Sequence, residues 1–514
     1  MSYSISGTTI TVSGTVDLMN ASLPSIYRIN FAAGGANATF NVRNFMYVPP
    51  LGVTFTVVGS ARQDVLTIAE FDHGLPTQFG PIYPHEPAIN LTFFNFVGWG
   101  ANDIIILQGN SDSNSLSGSY ENETLRGGNG NDSYHIGPGD IVDETGTDGV
   151  DVIYSYESVN LLGANVRGDV ENVVLTATDI ATSATGNALA NKLVGGMGNS
   201  TLNGMGGDDF MQGRAGNDIY VVNSVNDIVD ESANNPGGID TIRSYVSYSL
   251  LDTVHVKGAV ENLTLLGTAL DAEGNNLNNA ITGSGFANIL KGFGGNDVLN
   301  GGAGADDLQG GLGNDTYVLG SEANGVDKVV DSSGNADTIT SSINRSLTFA
   351  DYAEIENLVL VGNAVSGAGN GLANAVTGNT RANILSGLAG NDRLAGGAGV
   401  DTLTGGLNHD TFVFNTALNG LANRDIVRDF SHADDTFQLE NAIFTKLGAG
   451  AIHMLNPASF RAGTKALDAN DYIVYNRTTG TLTYDSDGNG SHAAVAFAVL
   501  INKPVLAAND FVVI

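Results

Sequence analysis

A nine-residue period runs through the middle of this 514-residue chain and constrains its fold more than any other feature. Three consecutive units span residues 292–318, and their acidic residues are Asp297, Asp306 and Asp315. An apolar or aromatic residue stands two positions after each of these aspartates. A repeat this short predicts a solenoid-like array, in which each unit buries its apolar side chain against its neighbours.

The nine-residue unit recurs in four runs, which we call ladders. Their acidic, amide or hydroxyl positions are Asn114, Glu123 and Asp132 in the first; Asn191, Ser200, Asp209 and Asp218 in the second; Asn279, Asn288, Asp297, Asp306 and Asp315 in the third; and Asn374, Asn383, Asp392, Asp401 and Asp410 in the fourth. Each ladder ends on an aromatic residue, namely Tyr134, Tyr220, Tyr317 and Phe412. Three spacers between the ladders also repeat: an acidic turn (DIVDE, DIVDE, DKVVD), an Asp-x-Ile sequence and a VEN or IEN segment. Their alternating Val, Ile and Leu predict short strands.

The charge balance indicates an affinity for cations. Asp and Glu number 54 against 21 Lys and Arg, which gives a net charge of −33. Such a chain repels nucleic acid and anionic membranes. Cysteine is absent, which excludes disulfides, thiolate metal sites and cysteine nucleophiles. The longest apolar run, 493–501, is far shorter than the ~20 residues of a membrane helix. We therefore expect neither a nucleic-acid partner nor membrane insertion.

The unit Gly-Gly-x-Gly-x-Asp-x-apolar-x resembles the glycine-rich nonapeptide of RTX proteins, the calcium-binding proteins that Gram-negative type I systems export. The resemblance implies an all-β fold, a parallel β-roll or β-solenoid interrupted by strand-rich spacers. Six residues of each unit make a turn and three make a strand, so turns two units apart stack about 4.8 Å from each other. Asp297 with Asp315, and Asp392 with Asp410, are expected to form stacked pairs.

The resemblance also implies several Ca²⁺ ions, because stacked turns supply the carboxylate and carbonyl oxygens that calcium prefers. The predicted metal ligands are the aspartates and turn glycines Gly130, Asp132, Gly207, Asp209, Gly216, Asp218, Gly295, Asp297, Gly304, Asp306, Gly313, Asp315, Gly390, Asp392, Gly399, Asp401 and Asp410. The alternative is that these aspartates are only turn residues. The coils that carry Asn or Ser at this position are expected to be poor in metal.

The regions outside the array suggest a domain division of 1–96, 97–414 and 415–514. Residues 1–96 lack the nonapeptide and predict a separate β-rich domain for assembly, anchoring or binding. The segment 423–439 resembles the region that follows the roll in serralysin-type proteins; its Asp425, Asp429, Asp434 and Asp435 are either calcium ligands or a solvated acidic turn. Residues 471–491 predict a hairpin with an acidic tip. An EF-hand is rejected there, because Ala496 stands where the bidentate Glu is required.

The two ends of the chain bear on localisation. The final residues, 509–514, resemble the C-terminal signal of type I secretion, and the start has no Sec-type signal. The resemblance therefore implies secretion to the outside or the surface of a Gram-negative cell.

The sequence assigns no catalytic residue. It contains no His-Glu-x-x-His, Gly-x-Ser-x-Gly or Gly-Lys-Ser/Thr motif. His73 and His85, beside Asp72 and Glu86, form either a metal or acid–base site or a plain surface loop. The favoured function is a structural surface-layer or extracellular matrix protein that folds and self-assembles with calcium, with itself as partner and lipopolysaccharide or another surface glycan as a further one. A carbohydrate-binding adhesin and a secreted glycan-active enzyme are the alternatives.

Overall fold

Short strands make up nearly all of the regular structure. The computed structural model describes residues 104–514 apart from 110, 112, 119–121, 147, 233–236, 321–325, 332–333, 335 and 449, together with the backbone of seven strands before residue 104. Among these residues there is no α-helix, and the helical segments are the 3-10 turns Ala350–Tyr352, Pro457–Ser459 and Ala508–Asp510. No described helix has the length and apolar character that a bilayer span requires. The all-β prediction is confirmed.

The chain forms two compact units, 1–245 with 252–260 and 246–251 with 261–514. The first unit has three sheets. One contains Ser2–Ser6, Thr9–Asp17, Arg28–Asn41, Val65–Ala69, Ile104–Gln108, Glu123–Arg126, Ile141–Glu144 and Val166–Gly168, with Phe55–Val58 and Phe94–Val97 attached. The next contains Ala88–Asn90, Ser115–Ser117, Ser133–Ile136, Val152–Ser155, Asn172–Leu175, Lys192–Val194, Phe210–Gln212, Ile228–Glu231 and Val256–Gly258. The last contains Val159–Asn160, Thr182–Thr185, Ser200–Asn203, Ile219–Val222 and Thr241–Ser244.

The second unit also has three sheets. One runs through Asn262–Leu265, Ala280–Thr282, Val298–Asn300, Thr316–Leu319, Thr338–Ser341, Asn357–Leu360, Ala375–Thr377, Arg393–Ala395, Thr411–Phe414, Thr436–Leu439, Phe511–Val513 and His453–Met454. The next contains Tyr248–Ser249, Asp271–Glu273, Ile289–Gly294, Asp307–Leu312 and Lys328–Val330. The last contains Arg345–Ser346, Ser366–Ala368, Ile384–Ala389, Thr402–Leu407, Asp425–Val427, Val495–Leu500, Thr481–Tyr484, Ile473–Asn476 and Phe460–Ala462.

Within the ladders, successive nonapeptides alternate between two sheets, so two units complete one coil. Leu299 therefore pairs in parallel with Ile281 on one side and with Tyr317 on the other. All three side chains are fully buried between the sheets. Residues on either side of them point outward, as the pleat of a strand requires. The predicted stacking of turns two units apart is confirmed by this register.

At the spacers one sheet ends and another begins. In the second unit the sheet that holds Asp307–Leu312 ends at Lys328–Val330, and a new sheet starts at Arg345–Ser346. The sheet on the opposite side continues through Thr338–Ser341 without a break. The spacer between the first and second ladders makes the same exchange. The first and third spacers are thus integral coils of the solenoid, and each changes one of its walls.

Strand pairing continues across both predicted domain limits. Val65–Ala69 pairs in parallel with Ile104–Gln108, and Thr411–Phe414 pairs in parallel with Thr436–Leu439. The division at 96 and 414 stays a prediction. The hairpin predicted at 471–491 is confirmed, since Ile473–Asn476 pairs antiparallel with Thr481–Tyr484. Its acidic residues do not lie at the tip, however, because they follow the second strand.

The inward leucines predict a direct test of the coil geometry. Leu299→Ala is expected to lower the free energy of unfolding by about 2–5 kcal/mol, because it removes buried apolar atoms from a filled interior. Val298→Ala on the same strand is the control: Val298 is 42% exposed, and a change of no more than about 0.5 kcal/mol is expected. Urea unfolding in saturating calcium measures both. Equal effects of the two substitutions would contradict the assigned register.

Candidate metal centre

The ladder aspartates are buried at the turns, and each uses one carboxylate oxygen to hold the neighbouring coil. Asp297 Oδ1 accepts a hydrogen bond from the backbone N–H of Asn279 at 2.7 Å, eighteen residues earlier. Asp315 Oδ1 accepts the backbone N–H of Asp297 at 2.8 Å, and Asp410 Oδ1 that of Asp392 at 3.0 Å. The two predicted stacked pairs are therefore in contact. All nine predicted aspartates are at most 2% exposed.

In most of these aspartates the second carboxylate oxygen accepts no hydrogen bond from the described residues. Among the described residues, eight of these aspartates have a fully buried Oδ2 without a hydrogen-bond partner: Asp132, Asp209, Asp218, Asp297, Asp315, Asp392, Asp401 and Asp410. A buried charged oxygen that no donor satisfies is strongly unfavourable. This arrangement recurs in successive coils, so these Oδ2 atoms need a partner that is neither a side chain nor a backbone amide. A row of calcium ions fits this requirement.

The turn glycines allow the coils to approach closely. The eight predicted glycines all have positive φ; Gly295 and Gly313, for example, have φ values of 109° and 126°. A Cβ at Gly295 would overlap the carbonyl oxygen of Leu277, and one at Gly313 would overlap that of Gly295. Backbone carbonyls are therefore crowded along the turns beside the carboxylates. This oxygen-rich surrounding suits calcium, which takes six to eight oxygens at ~2.3–2.6 Å. The ligand roles of individual residues stay predictions.

The asparagines explain how other coils stack without an ion. Asn279 Oδ1 accepts the N–H of Asn275 at 2.7 Å, and its amide nitrogen donates to the carbonyl of Glu261 at 2.9 Å. Asn288 likewise donates to the carbonyls of Ala269 and Leu270, both at 3.0 Å. A neutral amide carries its own donors into the space beside the carbonyls. This geometry supports the expectation that these coils are poor in metal.

Burial makes the metal-free aspartates weak acids. It raises the pKa of Asp297 and of Asp410 to about 7, and that of Asp401 to about 6. The negative charge of Asp315 contributes to the shift of Asp297. Near neutral pH, calcium binding at these sites is therefore expected to release protons.

The C-terminal acids divide into two groups. Asp425 and Asp435 continue the ladder, since their Oδ1 atoms accept the backbone N–H groups of Asp401 and Asp410 at 3.1 and 3.0 Å. Asp429 instead accepts the N–H groups of Gly405 and Gly406, both at 2.9 Å. Asp434 accepts the hydroxyl of Ser431 at 2.9 Å. Asp425 and Asp435 thus continue the stack of the ladder, but Asp435 Oδ2 also accepts the N–H of Ser431 at 2.7 Å, and Asp429 and Asp434 stabilise turns.

Sequence reasoning missed a set of spacer acids. The Oδ1 atoms of Asp151, Asp240 and Asp337 accept the N–H groups of the last aspartates of the first three ladders at 2.8, 2.8 and 2.7 Å. They belong to the Asp-x-Ile sequences, whose repetition was visible but whose spacing breaks the nine-residue step. The proposed site near His73 and His85 lies outside the described residues.

A parallel β-solenoid with stacked, buried aspartates belongs to the class of metal-binding β-rolls. Residues 98–134, 185–229, 273–308, 282–317, 292–326 and 377–412 match the model of the RTX calcium-binding nonapeptide repeat (4 copies). The chain therefore carries RTX calcium-binding nonapeptide repeats over these segments, and the resemblance inferred from the sequence is confirmed there.

Comparison with individual proteins adds little to this assignment. The search of curated proteins gave no match. One matching solved structure is the extracellular lipase LipA from Serratia marcescens, with 15% identity and a TM-score of 0.14. The alignment covers 54% of this chain and 45% of the lipase, so the chain spans less than half of that protein. A likeness of this size carries no inference about activity.

Replacing a ladder aspartate by asparagine tests the role of the second oxygen. In calcium-free protein, Asp297→Asn is expected to raise the free energy of unfolding by about 1–3 kcal/mol, because an amide donor removes an unsatisfied buried oxygen. In calcium the same change is expected to be destabilising, because a ligand is lost. Asp315→Asn should act on the same site, so the double variant is expected to be non-additive. Chemical denaturation measures this in calcium, and a stabilising osmolyte is added to populate the folded state of the calcium-free protein.

The control for charge alone is Asp351→Asn, an exposed acid in the same unit. It is expected to change either state by no more than about 0.5 kcal/mol. Equal effects of Asp297→Asn with and without calcium would contradict the assignment.

The raised pKa values predict opposite pH dependences with and without calcium. These carboxyl groups have a pKa near 7 in the folded protein and near 4 in the unfolded chain. Between pH 4 and pH 7 the folded state therefore binds more protons than the unfolded state. Calcium-depleted protein is therefore expected to lose stability as the pH rises from 5 to 8. Calcium-saturated protein is expected to gain stability over the same range, because protons compete with the ion. Thermal unfolding at each pH measures both, with a stabilising osmolyte in the calcium-depleted samples, and parallel curves would refute the coupling.

Proposed function

We propose that this protein is a secreted structural component of a bacterial surface layer or extracellular matrix, which folds and self-assembles when it binds calcium. The observation that carries the proposal is the row of buried aspartate Oδ2 atoms without donors. Metal binding to such sites contributes directly to folding, because the site does not exist in the unfolded chain.

Secretion fits the chemistry of these sites. Extracellular calcium-binding modules have dissociation constants of about 10⁻⁴–10⁻³ M, close to the calcium concentration outside cells. A chain with a net charge of −33 and closely stacked carboxylates is strongly self-repelling when calcium is scarce. We infer that the chain stays unfolded during export and folds outside the cell.

Self-assembly is supported by apolar residues that recur on the outer surface of the second unit. Phe293 and Leu312 lie on adjacent strands of one sheet, where Gly294 pairs with Leu312. Leu388 and Leu407 occupy the corresponding positions in the next ladder. Leu312 is 64% exposed and Leu407 is 69% exposed. Because only 15% of the residues are charged, such apolar positions are weakly shielded by charge and suit contacts between copies.

The full-length chain tests the proposal directly. It is expected to be a monomer in chelator and to form large ordered assemblies after calcium addition, as followed by light scattering and electron microscopy. The variant Leu312→Ser/Leu407→Ser is expected to retain calcium-induced folding by circular dichroism and to lose most of the assembly. Leu421→Ser is the control, since Leu421 is 90% exposed but lies outside the recurring pattern. A wild-type protein that folds with calcium and stays monomeric at high concentration would overturn the assembly role.

A further inference from the structure

Two clusters of three carboxylates lie at the ends of ladders, and neither belongs entirely to the nonapeptides. One comprises Asp218, Glu231 and Asp240, and the other comprises Asp315, Asp331 and Asp337. In each cluster one oxygen per residue lies within 4.8 Å of the others. Oxygens that share one calcium ion at ~2.4 Å are at most about 4.8 Å apart, so each cluster has the dimensions of a single ion site.

The spacer contributes the third carboxylate where the nonapeptide has its first glycine. Gln309 pairs with Val330, so the next residues along the two strands are Gly310 and Asp331. Likewise Met211 pairs with Val229, and two residues further on Gly213 corresponds to Glu231. The position that a glycine occupies in the ladder is therefore occupied by an acidic residue in the spacer.

Each cluster contains a fully buried oxygen that lacks a donor. Asp315 is 0% exposed and Asp218 is 1% exposed, and the Oδ2 atom of each has no hydrogen-bond partner among the described residues. A Cβ at Gly310 would overlap both Asp315 Oδ2 and the hydroxyl of Tyr317, so this oxygen lies beside the position that stacks on Asp331. The Tyr317 hydroxyl donates to Asp331 Oδ2 at 2.8 Å, which holds the spacer carboxylate against the same space.

We propose that each of these clusters binds one calcium ion. The row of ions would then extend one coil beyond the last nonapeptide and stabilise the contact between the ladder and its spacer. This inference rests on the calcium binding proposed above and adds ligands that the nonapeptide pattern does not contain. Three carboxylates favour a hard divalent cation. Calcium suits the cluster better than magnesium, which demands near-ideal octahedral geometry and usually keeps several waters.

The first spacer provides an internal contrast. Its corresponding acid is Glu144, whose Oε1 accepts the N–H of Gly127 at 3.3 Å. The Tyr134 hydroxyl accepts the same N–H at 2.8 Å. Within the described part of the chain, Asp132, Glu144 and Asp151 do not form a group of oxygens within 4.8 Å. The proposal therefore concerns the second and third ladders and leaves out the first.

Counting calcium ions on the full-length chain tests the proposal. Glu231→Gln and Asp331→Asn are each expected to reduce the calcium bound at saturation by one ion, and the double variant by two, as measured by equilibrium dialysis and elemental analysis. Asp230→Asn is the control in the same strand, since Asp230 lies outside the cluster and its Oδ1 accepts hydrogen bonds from the N–H and hydroxyl of Ser232. Glu144→Gln is the control for the first spacer. Neither control is expected to change the count.

The possible outcomes distinguish the failure of the spacer sites from the failure of the proposed calcium-dependent function. A wild-type chain that binds no calcium would refute the calcium-dependent function itself. A wild-type chain that binds calcium, with an unchanged count in both spacer variants, would overturn the spacer sites alone.

Terbium luminescence keeps the proposal testable if a spacer variant does not fold. Tb³⁺ takes calcium sites, and tyrosine sensitises its emission at short range. Tyr317→Phe in the wild-type background is expected to remove a distinct share of the emission, because the Tyr317 ring lies beside the third-ladder cluster and its hydroxyl contacts Asp331. Emission equal to that of the wild type would overturn the third-ladder site.

Discussion

The architecture depends on the two carboxylate oxygens of each ladder aspartate, which have different roles. One oxygen accepts a backbone N–H from the coil eighteen residues earlier, as Asp297 does from Asn279 and Asp315 from Asp297. This bond fixes the register of the turns, just as the backbone hydrogen bonds between strands fix the register of the sheets. In eight of the ladder aspartates the other oxygen is held in a buried turn, where no described residue donates a hydrogen bond to it. The bonds that order the coils therefore also place these oxygens where a cation can bind, and the proposed calcium-dependent folding follows from that placement.

Much of this arrangement follows from the sequence, because a strict nine-residue step and a two-unit coil leave one way to stack the turns. The step places Asp297 on Asp315 and Leu299 between Ile281 and Tyr317, and the structure has both. The spacer acids were not predicted as ligands. Asp331 and Glu231 lie at different distances from their ladder aspartates, so no fixed period marks them, and only the three-dimensional register aligns them with ladder glycines. The exchange of one sheet wall at the first and third spacers was also beyond prediction, since it depends on which neighbour a short strand pairs with.

The asparagines make the two ends of a ladder chemically different. In the third ladder, Asn279 and Asn288 precede Asp297, and their amide nitrogens donate to carbonyls of the preceding coil. Such coils are satisfied without metal and can order first. The aspartate coils that follow carry the buried oxygens to which calcium binding is proposed. The last three ladders therefore combine a beginning that is satisfied by amide or hydroxyl side chains with an acidic end, and the spacer carboxylates of the second and third ladders lie at that acidic end. This order fits a chain that becomes structured only where calcium is plentiful.

The most direct test of this linkage is a crystal structure of the calcium-loaded protein, with terbium substitution to locate ions by anomalous scattering. Ion density is expected ~2.3–2.6 Å from the Oδ2 atom of Asp297 and of the other ladder aspartates, and none is expected beside the Asn279 amide. A calcium-saturated, folded protein in which Asp297 Oδ2 binds only water, or no atom at all, would contradict the claim that these carboxylates order the fold through calcium.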